Sequence, residues 1–104
     1  MKDVRWTRTA KKSLQETSEF ILELWNLKIK EEFIEQVDYR IKQIQRNPKI
    51  APKFKDNQIR RLVIHNTVSL FYIDKPKYIK LLLIWDNRQD PDSLLDKLTD
   101  ANNV

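Results

Sequence analysis

The stretch Gln58–Pro91, QIRRLVIHNTVSLFYIDKPKYIKLLLIWDNRQDP, decides the fold. It holds three apolar runs rich in β-branched and aromatic residues: Ile59–Ile64, Val68–Ile73 and Tyr78–Trp85. Runs of this length, bounded by turn residues, read as β-strands. They predict strands over about 59–64, 68–74 and 78–86. His65-Asn66-Thr67 fills the first gap, where Asn66 tolerates the left-handed conformation of a tight hairpin. Asp74-Lys75-Pro76-Lys77 fills the second, and Pro76 lacks the donor that a ladder needs. Connections this short force an antiparallel meander.

The third run is apolar on two sides. Strict alternation points Ile79, Leu81, Leu83 and Trp85 one way, and Lys80, Leu82, Ile84 and Asp86 the other. Leu82 and Ile84 make the second side apolar as well, so this strand is expected inside the sheet with a neighbour on each flank. The N-terminus is left to supply the missing neighbour. Lys2–Thr7 can form it, with Val4 and Trp6 on one face.

Between that strand and the meander the period changes. Ala10, Leu14, Thr17, Ile21 and Leu24 recur at spacings of three and four, with Phe20 and Trp25 widening the same face. Asn26 marks a break. A second helical face follows through Lys30, Phe33, Val37, Ile41 and Ile44, with Ile34 beside it, and Pro48 stops it by forcing Asn47 out of the helical region. The expectation is two antiparallel helices, about 8–26 and 28–47, joined as a hairpin. Glu31, Glu32 and Glu35 early in the second helix, and Arg40, Lys42 and Arg46 late in it, suit the helix macrodipole. In the loop 48–57, Ile50 and Phe54 are the apolar residues expected to anchor it to the body. Asp90 and Pro91 open a short C-terminal helix as cap and first residue, carried by Leu94, Leu95 and Leu98 and fraying over Thr99–Val104. The fold class is α+β: one domain over 1–104, a two-layer sandwich of order β-α-α-β-β-β plus a short helix.

Composition excludes several chemistries. With no cysteine there is no disulfide, thiol catalysis or Cys-ligated zinc. A single histidine argues against a histidine-based metal site, and the absence of glycine rules out a phosphate-cradling glycine loop. No cofactor is expected. The start MKDVRWT has no apolar signal core and no run is long enough to span a bilayer, so the expectation is cytoplasmic residence without membrane contact.

The net charge of +5 is unevenly spread. Residues 49–61 carry Lys49, Lys53, Lys55, Arg60 and Arg61 against Asp56 alone, whereas 86–104 carry five aspartates against Arg88 and Lys97. The basic middle reads either as a contact for an anionic partner or as solvated surface. Arg60 and Arg61, adjacent in a strand, face opposite sides of the sheet. They serve either to protect an edge by charge or to join Lys53, Lys55 and Arg88 in contacting an anion. In Asp86–Pro91, Asp90 caps a helix and Arg88 pairs with Asp86 or Asp90, unless the segment is functional. His65 reads as an exposed turn residue. No nucleophile–base pair assembles from Ser13, Ser18, Ser69 or Ser93.

These residues resemble the RelE/ParE superfamily of bacterial toxin–antitoxin toxins, on the ParE or plasmid-stabilisation side. The resemblance runs through Trp6, Ala10 and Leu14, the Asn47-Pro48 stop, Ile59–Ile64 and Leu70-Phe71-Tyr72, and is most specific in Ile84-Trp85-Asp86-Asn87-Arg88-Gln89-Asp90-Pro91. It implies a first strand lying beside the last, and a cognate antitoxin held in a hetero-oligomer. RelE-type members cut messenger RNA on the ribosome with basic strand residues, an arginine before the Leu-x-Tyr of the middle strand, and a tyrosine after the final arginine. Here Ser69 and Leu94 stand at those last two positions, leaving Arg60 and Arg88 as the candidate nuclease residues. The resemblance therefore implies the ParE-type activity, poisoning of DNA gyrase by protein contact. RelE-like ribosome-dependent cleavage, and a non-toxic binding relative, are the alternatives. Lys53, Lys55, Arg60, Arg61 and Arg88 are the partner-binding candidates, and the first four are expected to steer an acidic antitoxin segment.

Overall fold

The third apolar run is an interior strand. The computed structural model, which describes residues 1–55, 57–65 and 67–103, orders the chain as β1 (Asp3–Trp6), α1 (Arg8–Leu24), α2 (Leu27–Arg46), β2 (Ile59–His65), β3 (Val68–Asp74), β4 (Tyr78–Asp86) and α3 (Pro91–Asn102). The sheet order is β1-β4-β3-β2. The β2, β3 and β4 strands form the expected antiparallel meander, and β1 adds in parallel to β4, which makes the sheet mixed. The turn conformation expected of Asn66, the charge of Asp56 and the end at Val104 lie outside the described residues.

β1 covers only half of β4. It pairs Asp3–Trp6 with Tyr78–Leu81 and then the chain turns into α1. Beyond Leu81 the backbone of β4 still presents polar groups on that flank, and buried ones need partners. Helix α1 supplies them with hydroxyls. Thr7 Oγ1 donates to the Leu82 carbonyl at 3.3 Å while accepting from Ala10 N as the helix N-cap. Ser13 Oγ accepts from Ile84 N at 2.9 Å and donates to the Ala10 carbonyl. The first half of β4 is thus paired with a strand and the second with the polar stripe of a helix.

A bulge divides the apolar side chains of β4 between two layers. Phe71 pairs with Leu83 and Tyr72 with Leu81, so Leu82 is the extra residue. Strict alternation fails at that point. Ile79, Leu81 and Ile84 join the core under the helical hairpin, with Phe33, Val37, Ile41 and Ile44 of α2. Leu82, Leu83 and Trp85 join a second cluster with Leu94, Leu98 and Ala101 of α3. A second bulge leaves Ile64 unpaired, between Val63 opposite Ser69 and His65 opposite Val68.

The outer edge of β2 is closed by side chain and loop. Lys53 bridges Arg60, Phe54 N donates to Ile59 O, Arg61 N donates to Pro52 O, and Arg40 Nη2 from α2 donates to Val63 O at 3.1 Å. An edge so occupied is a poor template for further strands. The Lys2–Asp74 ion pair fastens β1 to the turn after β3.

Four sequence expectations change. Phe20 and Trp25 do not widen the buried face of α1, since they are 46% and 68% exposed, and Leu24 is exposed too. The buried residues of α1 are Ala10, Ser13, Thr17 and Ser18, because a helix lying along a strand edge needs small side chains and hydroxyls there. Ile50 does not anchor its loop. Ala51 is buried in its place, and Phe54 packs edge-on against Phe71 with centroids 5.2 Å apart. Residues Thr99–Asn102 are helical rather than frayed, with Ala101 buried and Lys80 Nζ donating to the Asn102 carbonyl. His65 is the last residue of β2, not a turn residue.

Replacing Ser13 with Ala leaves the Ile84 N–H without a partner and is expected to cost about 1–3 kcal/mol in denaturant melts. Asp90 caps α3 by accepting from Asp92 N at 3.0 Å, so Asp90→Ala is expected to cost about 1 kcal/mol.

Candidate functional site

The end of β4 is where the polar groups converge. Asp86 is the last residue of the strand, its side chain 8% exposed. Arg88 folds back over it. Arg88 Nε lies 3.0 and 3.2 Å from the two carboxylate oxygens, Nη2 donates at 2.6 Å, and the Arg88 backbone N–H donates at 3.0 Å. Arg88 therefore pairs with Asp86, and Asp90 is free to cap. The hydrogen bonds from the Arg88 side chain hold the Asp86 carboxyl below the usual carboxylate range against the opposing effect of burial, helped by the Arg88 backbone and the Thr67 side chain. The Arg88 guanidinium is raised in turn, chiefly by its hydrogen bond to Asp86.

Two clefts meet at this pair. The first, of about 460 Å³, runs along the second half of β4 between Leu83–Asp86 and the α1 residues Ser13, Glu16, Thr17 and Phe20, with Arg88, Gln89 and Lys97 on its far rim. The second, of about 490 Å³, lies under the tip of the helical hairpin. Ile21, Trp25, Ile29 and Phe33 form its apolar wall, and His65, Thr67, Asp86 and Arg88 its polar one. Sequence reading did not find these walls. The signal in the sequence is the surplus of large apolar residues around α1, more than one buried face can hold.

The basic candidates divide. Arg60 Nη1 donates to the Ala51 carbonyl at 2.6 Å and lies 3.4 Å from that of Lys49, so it clasps the loop to β2. Lys53 sits opposite it in the same bridge. Lys55 is exposed and takes a left-handed φ of 50°, with its ammonium 5.5 Å from the Phe54 ring centroid. That conformation costs a side chain with a Cβ about 1 kcal/mol, and the chain has no glycine to relieve it. Arg61 faces the other side, as expected. Its Nε donates to Ser69 Oγ at 3.1 Å, and Ser69 also accepts from Asn87 Nδ2 at 3.2 Å. Arg61 is thereby connected to the Asp86–Arg88 turn, while Arg60 and Lys53 stay with the loop.

Arg60 and Arg88 are not brought together. Arg60 pairs with Tyr72, whereas Arg88 lies beyond Asp86, the partner of Val68. The strand from Tyr72 to Val68 alone spans roughly 13 Å. Ser69 is fully buried and hydrogen-bonded, and Leu94 is buried under the sheet, so both positions serve structure. Among the described residues no three His, Asp or Glu side chains are placed to hold a metal ion. The site offers an arginine on a saturated carboxylate, a histidine and two apolar-walled clefts. Such a surface suits recognition by shape and charge better than proton transfer.

A helical hairpin laid over a four-stranded sheet, with β1 beside β4 and an Asp-Asn-Arg-Gln-Asp-Pro turn at the strand end, defines the class of small toxins that the sequence resembles. The chain belongs to the ParE family: residues 4–91 match the family described as ParE toxin of type II toxin-antitoxin system, parDE. That family pairs a toxin with an antitoxin. The match ends at the first residue of α3. No curated protein matches the chain. A solved structure described as a chromosomal ParDE TA system from P. aeruginosa superposes with a TM-score of 0.70 at 21% identity, over 81% of this chain and 94% of that one, and shares the fold.

The Asp86–Arg88 pair gives a pH signature. A carboxylate whose pKa is lowered in the folded state adds stability above its unfolded pKa, and loses it as pH falls through the folded value. Asp86→Asn is expected to cost roughly 1–2 kcal/mol at neutral pH, the modest size reflecting the solvent around Arg88. Paired melts should show the gap between wild type and variant closing as pH drops below the ordinary carboxylate range.

Proposed function

We propose that this chain is a cytoplasmic toxin that acts by protein contact on DNA gyrase or a related type II topoisomerase, and that a cognate antitoxin neutralises it. The observation that carries this reading is the state of the nuclease positions. Ser69 and Leu94 are structural, and Arg60 is consumed by the Ala51 and Lys49 carbonyls at the far end of the sheet from Arg88. Metal-free cleavage of RNA needs a base for the 2′-hydroxyl and an acid for the leaving oxygen within reach of one phosphate. The candidate residues supply no such pair, whereas inhibition by contact needs only a complementary surface. Family membership supports the toxin–antitoxin context. The cationic segment 49–61 supports steering of an acidic antitoxin segment, with Lys53 and Lys55 among its exposed cations.

Expression of the chain alone is expected to cause filamentation and a DNA-damage response, and the purified protein to inhibit gyrase supercoiling in vitro. Codon-specific cleavage on translating ribosomes would replace this reading with the ribonuclease one. Changing Lys53 and Lys55 to Ser is expected to slow antitoxin association about tenfold at low salt and to flatten its salt dependence. An unchanged association rate would leave the basic loop as solvated surface only.

A further inference from the structure

Neither helix of the hairpin suits its dipole at the tip: the first turn of α2 carries Lys28 and Lys30 and no acid, with Glu31, Glu32 and Glu35 following only later. α1 is inverted: Arg8, Lys11 and Lys12 lie in its first half and Glu16, Glu19 and Glu23 in its second. From Leu14 to Trp25 there is no cation at all. Glutamates near a helix C-terminus face the negative end of the dipole and destabilise it. Because the helices are antiparallel, the acidic end of α1 lies beside the start of α2, where Lys28 and Lys30 precede Glu31, Glu32 and Glu35. The hairpin tip gathers six glutamates between Glu16 and Glu35 against Lys28 and Lys30, on a chain whose net charge is +5.

The same tip carries unburied apolar surface. Phe20, Leu24, Trp25 and Leu27 are 46%, 52%, 68% and 57% exposed. Glu16, Phe20, Glu23 and Leu24 fall at i, i+4, i+7 and i+8, on one stripe of α1. Among the described residues Glu19 and Glu23 enter no ion pair, and Glu16 has only a 3.9 Å approach to Lys12. An exposed tryptophan amid leucines, beside carboxylates without an ion-pair partner, breaks the burial rule, and exposed apolar surface of this kind marks an interaction site.

We propose that the hairpin tip is a docking surface for a protein segment that is apolar on one side and basic on the other. Trp25, Phe20 and Leu24 receive its apolar side chains, and Glu19 and Glu23 its cations. The surface is opposite in sign to the 49–61 segment, so the two select different partner segments. Charge complementarity fixes the occupant's chemistry: an acidic segment would be repelled by the tip, and an uncharged one would leave its carboxylates unpaired.

The test uses the full-length chain and a synthetic leucine–lysine peptide patterned as an amphipathic helix. Its controls are a scrambled peptide of the same composition and a leucine–glutamate version. Trp25 is the reporter, since Trp85 is buried and Trp6 half-buried. The patterned basic peptide should shift Trp25 emission to the blue with a salt-dependent affinity. Trp25→Ser should abolish the binding heat, and Glu19→Lys with Glu23→Lys should weaken affinity about tenfold. The double variant should melt within about 3 °C of the wild type, because both side chains are exposed on α1, so loss of binding cannot be laid to misfolding. Equal binding of the scrambled or acidic peptide would overturn the proposal, as would undiminished binding by the double variant. So would sedimentation showing that Trp25 mediates self-association, or a blue shift that only lipid vesicles produce. The readout does not involve toxicity, so it stands apart from the gyrase reading.

Discussion

The constraint on which this structure depends is the unpaired flank of β4 beyond Leu81. β1 ends at Trp6, and Leu82–Asp86 would otherwise present bare backbone in the interior. α1 closes that gap with Thr7 and Ser13, and the closure fixes the helix against the strand at atomic range. The consequence reaches the surface. A helix that buries Ala10, Ser13, Thr17 and Ser18 and packs Leu14 and Ile21 against the core leaves Phe20 and Trp25 outside it, and they line the clefts on either side. The bulge at Leu82 completes the arrangement by feeding one strand's side chains to both layers, so that α3 has an apolar bed although the hairpin has already claimed the other face.

The polar residues of the sheet find partners within the chain. Asp86 accepts from the backbone and guanidinium of Arg88, Ser69 accepts from Arg61 and Asn87, and Arg60 donates to the loop carbonyls. A catalytic acid or base must keep a proton or a lone pair available at the reacting atom. Here those capacities are committed to holding the end of β4, the 48–57 loop and the hairpin in register. The clefts that meet at Arg88 are walled by apolar side chains and fringed by charge.

How much of this was legible follows from which elements keep a single period. α2 was readable because one apolar stripe, Phe33, Val37, Ile41 and Ile44, faces one core. The meander was readable because its gaps are short, and the two-sided character of Tyr78–Trp85 placed a fourth strand beside it. The inward face of α1 was legible in Ala10, Leu14, Thr17 and Ile21, but Leu24, Phe20 and Trp25 lie off it, and the buried hydroxyls of Ser13 and Ser18 are a pattern that hydrophobic periodicity scores as solvent. The run Leu81-Leu82-Leu83-Ile84 conceals its bulge, since a one-residue slip among aliphatic residues leaves no mark in the sequence. The Asp86–Arg88–Asp90 triplet allowed two pairings, and only the burial of Asp86 decides between them. The basic residues were legible as a charge excess but not as individuals, because adjacent Arg60 and Arg61 take partners on opposite faces.

The same reasoning explains why net charge is a poor guide to this surface. The excess of cations belongs to residues 49–61, where the loop lies along β2, whereas the hairpin tip collects glutamates from two helices that the sequence separates. α2 opens with Lys28 and Lys30 and has no acid in its first turn, so charge at the tip is not arranged to favour either dipole. Replacing Glu23, in the last turn of α1, would ease that helix and leave the Ser13 and Thr7 contacts to β4 untouched, since those lie on the inward face. The acidic end of α1 is thus independent of the contacts that hold the fold, and it lies on the side that the proposed docking segment would meet.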